Sequence, residues 1–95
     1  MIDFKGILKD FKTRHKILSQ FRRVYFILKD FDFESQKEAD ENFIEMNSLI
    51  EQAKVYNTTS HKKIDLRKCE ECYLTLQVRV EDELAARQSY SLSKA

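Results

Sequence analysis

A chain of 95 residues that is 42% apolar and 35% charged is too apolar for intrinsic disorder and too polar to live in a membrane, so one thinly cored domain folded in water is expected over residues 1–95. With no proline and a single glycine, Gly6, it lacks the turn formers that a β-rich domain needs. The formal net charge of +1 hides an uneven split: eight Lys/Arg against three Asp in residues 1–30, two basic against seven acidic in 31–57, and seven against six in 58–95.

The first predicted helix covers about residues 3–30. Phe4, Ile7, Phe11, Arg14, Leu18, Phe21, Tyr25 and Leu28 recur at the alternating three- and four-residue steps of a packed helical seam, interrupted only by Arg14. A second apolar stripe, Ile17, Val24, Ile27 and Phe31, runs beside it. Such a broad arc lets one helix touch more than two neighbours, so these four residues are expected at a protein interface. Phe26, on the edge shared with Arg22 and Lys29, and Phe33, in the connection that follows, are expected contacts for the same reason.

The same helix carries Lys5, Lys9, Lys12 and Lys16 at steps of four, three and four, a ridge that could track phosphates. Glu34, Glu38, Glu41 and Glu45 repeat that spacing in the next element. Like charges one turn apart repel, so an antiparallel hairpin turning near residues 30–33 is favoured. It would set Arg22 and Arg23 beside Glu38 and Glu41, and Lys16 near Glu45.

The second helix is predicted over about 35–56. Ser35 and Glu38 form a capping box in which the Glu38 side chain reaches back to the Ser35 amide. Its seam is Ala39, Phe43, Met46, Ile50 and Ala53. Asn57-Thr58-Thr59-Ser60 supplies side chains that compete for backbone hydrogen bonds, which favours a break there.

The third helix is predicted over about 65–88, with seam Leu66, Cys69, Tyr73, Leu76 and Val80 shifting at Leu84, and residues 89–95 as a frayed tail. Cys72, Leu74, Leu76, Val78 and Val80 also alternate with polar residues, so an α+β arrangement with a strand near 72–80 competes. Helix is preferred because a lone strand would lack a partner. Leu74 and Val78, off the seam, are weaker interface candidates. The expected fold is thus all-α: a three-helix antiparallel bundle, a long hairpin plus a third helix, with left-handed coiled-coil-like packing.

Chemistry-bearing patterns are sparse. His15 and His61 are the only histidines and lie in no ligand or catalytic spacing. Cys69-Glu70-Glu71-Cys72 offers two of the four ligands a zinc site needs, and its glutamates disfavour a thiolate. No enzyme activity, metal or cofactor is therefore expected. Without an apolar leader or a disulfide framework, a cytoplasmic, non-membrane setting is expected. The function that fits is a protein-protein interaction module, an adaptor, chaperone or inhibitor docking on a larger protein and forming a homodimer. The alternative is a nucleic-acid-binding protein using the basic first helix.

Overall fold

The computed structural model describes residues 4–94, with side chains from 5 to 90. Three helices, α1 (Phe4–Lys29), α2 (Gln36–Thr59) and α3 (Leu66–Lys94), pack pairwise into a bundle, α1 against α2 most closely. Among the described residues there is no strand. Helix α3 continues through the expected tail to Lys94; the Phe4 side chain and Ala95 lie outside the described residues.

The alternation at 72–80 resolves into two faces of one helix. Leu76 and Val80 are buried and Cys72 packs against the core, whereas Leu74 and Val78 are exposed. At 100° per residue, positions four apart nearly coincide and positions two apart nearly oppose, so alternating apolar residues line both sides of a helix.

Helix α1 turns inward a face rotated from the expected seam and sharing only Phe21 and Leu28 with it. Ile17, Phe21, Val24 and Leu28 are its buried residues, while Leu18 and Tyr25 pack at the margin and Ile7 and Phe11 are exposed. The reason lies in what each seam meets when extended. The stretch Ile17 to Leu28 holds no charge on the inward face, but the expected seam, which diverges from it before Phe21, contains Arg14, whose guanidinium cannot be buried cheaply. Carried toward the N-terminus at the same steps, the inward face reaches Thr13, Asp10 and Gly6, which supply no apolar volume. The bundle core accordingly stops near Ile17, and among the described side chains the first turns of α1 contribute no buried residue. The molecule measures 70 × 19 × 16 Å, longer than the roughly 43 Å of its longest helix at 1.5 Å per residue, so its helices are staggered.

The connections explain how a chain with one glycine turns. Helix α1 ends in a Schellman motif: the Asp32 amide donates to the Ile27 carbonyl at 2.8 Å and the Phe31 amide to Leu28 at 3.3 Å. The left-handed position, normally glycine, is Phe31, with φ of 56°. Helix α2 starts at Ser35, whose hydroxyl accepts from the Glu38 amide at 3.3 Å. Glu38 reaches back as expected but to the Glu34 amide, at 2.9 Å, one residue earlier. The hairpin register also differs by about one turn: Arg23 pairs with Glu45, while Arg22 and Lys16 make no ion pair among the described residues.

At the far end, α2 does not break at Asn57 but continues to Thr59. The Asn57 side chain turns outward from its own helix instead, donating to the Ile64 carbonyl at 2.9 Å and accepting from the Ile64 amide at 2.8 Å. That two-point clamp seats Ile64 in the core. Asp65 then caps α3, accepting from the Lys68 amide at 3.1 Å.

Candidate protein-interaction surface

The six expected contact residues divide. Ile17, Val24 and Phe33 belong to the chain's own core, so a surface built on them does not exist in the folded chain. For Ile17 and Val24 the cause is the rotated face of α1. For Phe33 it is Arg87, whose guanidinium covers the ring at 4.8 Å and thereby encloses it. Ile27 is half-buried, and Phe31 is half-buried against the Phe33 ring. Phe26 alone of the six remains exposed, at 51%.

Phe26 lies at the mouth of an open groove of about 460 Å³ between α1 and the start of α3. Its floor is apolar: Leu18, Phe21 and Tyr25 from α1, Ile64 from the connection, and Cys69 and Cys72 from α3. Its rim is cationic, with Arg14 and Arg22 from α1 and Lys68 from α3, against one carboxylate, Asp65. None of the three cations makes an ion pair among the described residues. The Arg14 Nε is buried in the groove wall without a hydrogen-bond partner, an arrangement that costs about 1–3 kcal/mol until an acceptor arrives.

This groove was hidden in the sequence because its residues come from two helices joined only by folding. One local signal did exist: Arg14 within an otherwise apolar seam marks where that seam leaves the core and becomes a surface.

Lys5, Lys9, Lys12 and Lys16 are all exposed on the N-terminal turns of α1 and free of ion pairs among the described residues. They share these turns with Ile7, Leu8 and Phe11, the last 66% exposed. His15 stacks on Phe11 at 6.3 Å and lies 3.4 Å from the Ser19 hydroxyl.

The Cys69 thiol is not set up as a nucleophile. Burial pushes the Cys69 thiol above its ordinary pKa, with Cys72, Asp65 and Glu70 adding to the rise and Lys68 partly opposing it. Alkylation of the native protein with iodoacetamide should therefore modify Cys72 before Cys69, followed by peptide mass mapping; equal rates would show that the α1/α3 contact opens readily. Among the described residues no cluster of three or more His, Cys, Asp or Glu could hold a metal ion. None of the described helices is long and apolar enough to cross a membrane. No family model matches the chain, and neither a curated protein nor a solved structure shows significant similarity to it.

Proposed function

We propose that the chain is a protein-protein interaction module whose α1/α3 groove receives an acidic amphipathic helix from a larger protein. The observation that carries this reading is the union of an apolar floor with three rim cations that make no ion pair among the described residues. An apolar ligand alone would leave Arg14, Arg22 and Lys68 unmatched, and a simple anion would leave Leu18, Tyr25 and Phe26 wet. A helix with leucines on one face and glutamates flanking them meets both demands, as helix-in-groove recognition does generally. Matched charge would set orientation and speed encounter, while the buried rings supply most of the affinity.

The test uses a defined probe: a fluorescent helical peptide of alternating leucine and glutamate turns, titrated with the full chain and followed by anisotropy. Saturable binding that weakens with salt is expected, and the double variant Arg22→Glu, Lys68→Glu should lose at least about tenfold in affinity, corresponding to about 1.4 kcal/mol. Binding that ignores both substitutions, or none at low salt, would end the proposal.

A second reading, nucleic-acid binding, is favoured by one observation: four exposed lysines spaced along about 16 Å of helix. Against it, Ile7, Leu8 and Phe11 crowd the same turns, and a phosphate backbone makes no use of them. A salt-sensitive gel shift abolished by Lys5→Glu, Lys9→Glu and Lys12→Glu together would establish this reading; no shift of the native chain at low salt would dismiss it.

A further inference from the structure

We infer that two copies of this chain associate, the N-terminal turns of α1 of one copy lying in the groove between α2 and α3 of the other. This contact is independent of the α1/α3 groove and stands or falls separately from it.

Each half of the contact is an apolar surface left uncovered by the fold. On α1, Ile7, Leu8 and Phe11 are between 55% and 66% exposed. Between α2 and α3 runs an open groove of about 910 Å³, where Ile44, Leu74 and Val78 are 60–70% exposed over a floor that includes Phe43 and Tyr73. Large apolar side chains grouped this way signal a binding partner more often than a solvated face.

Charge identifies the partner as the same chain. Residues 5–16 hold five Lys/Arg against one Asp, a net +4, and residues 34–47 hold five Asp/Glu against one Lys, a net −4. The groove itself is flanked by Asp40 and Glu81, and neither lysine nor arginine lines it. The apolar stripe of α1 is thus edged by cations and the groove by anions, which favours this pairing over either surface meeting its own copy.

The contact cannot form within one chain. Phe11 and the α1/α2 turn at Phe31 lie on or just beyond one unbroken helix, twenty residues or about 30 Å apart, and the groove opens near that turn. The helix holds its own basic end away from its own groove. Association must be in trans, and a two-fold axis would repeat it, giving two equivalent contacts. A single three-turn helix covers less than the roughly 800 Å² per partner of a stable complex, so the repetition matters.

The test is the native mass of the full chain by sedimentation, alongside two double variants at exposed positions: Leu8→Asp with Phe11→Asp, and Leu74→Lys with Val78→Lys. Circular dichroism checks that each stays helical, with Ile44→Lys as a second groove variant should the first fail to fold. The native chain should be a dimer that dissociates as salt is raised, and each variant alone should be a monomer. Mixing the two double variants should restore a 1:1 complex, because the intact α1 end meets the intact groove in one contact and the introduced aspartates meet the introduced lysines in the other. A monomeric native chain, salt-insensitive dimers, or a mixture that stays monomeric would each overturn the inference. So would a native monomer whose basic end instead gives a salt-sensitive shift with nucleic acid.

Discussion

Phe33→Ala should cost about 3–5 kcal/mol of stability while Phe26→Ala costs less than about 1 kcal/mol, measured by urea unfolding followed by circular dichroism. The two rings lie seven residues apart, and neither falls on a predicted core seam. Their surroundings differ completely. Phe33 is 4% exposed, packed edge-on against Phe31 at 6.3 Å and roofed by Arg87. Phe26 is half out in water, its outer face passed by the Lys29 ammonium at 5.7 Å. A domain of this length has about 5–14 kcal/mol of total stability, so the first substitution should remove about a fifth of it or more. Peptide binding should show the reverse order, with Phe26→Ala impairing capture by the α1/α3 groove and leaving the fold intact. Equal stability losses at both sites would mean that the turn is not seated as described.

Why Phe33 reads as surface in the sequence is instructive. A ring in a connection has no periodic neighbours to announce its burial; its enclosure depends on Arg87, fifty-four residues away in the chain. The elements themselves were legible because periodicity is local: the seams Ala39 to Ala53 and Leu66 to Val80 mark the inward faces of α2 and α3, with Phe43, Leu66 and Tyr73 at the margin. Helix α1 was ambiguous because it carries two apolar stripes. Choosing between them needs the knowledge of where α2 and α3 end, which no window of α1 contains. The core took Ile17 and Val24 from the shorter stripe and Phe21 and Leu28 from the longer one, whose members before Arg14, Ile7 and Phe11, became surface.

The groove residues divide in the same way. Leu74 and Val78 stand out in the sequence because their spacing conflicts with the seam, and that conflict turned out to be the trace of a second apolar face rather than of a strand. Arg22 and Lys68 carry no such signal. They gain meaning only when the Asn57 clamp and the Asp65 cap deliver the first turn of α3 beside the middle of α1.

The α1/α2 turn is where the chain stores strain and where one distant residue holds it. A phenylalanine in the left-handed region costs about 1–2 kcal/mol relative to glycine, and Phe31 remains there because Arg87 fixes its carbonyl and that of Phe33. One Nη donates to the Phe33 carbonyl at 2.7 Å and the other to the Phe31 carbonyl at 3.1 Å, while Glu83 holds the guanidinium from behind at 3.1 Å. Hydrogen bonds from a charged donor contribute about 1.5–3 kcal/mol, and the partial exposure of this side chain puts the pair toward the lower end. Arg87→Ala should therefore cost about 2–3 kcal/mol in total, lowering the melting temperature by roughly 10–20 °C for a domain of this size. Arg87→Lys should recover less than half of that loss, because one ammonium cannot reach two carbonyls two residues apart and still lie flat on a ring. Phe31→Gly relieves the backbone but gives up the Phe33 contact, so its own effect should be small. Combined with Arg87→Ala, it should soften the arginine's loss, since a relaxed turn no longer needs to be held. If Lys at 87 matches Arg in thermal unfolding, or if the effects of Phe31→Gly and Arg87→Ala are simply additive, then the arginine is only a surface salt bridge and the turn stands without it.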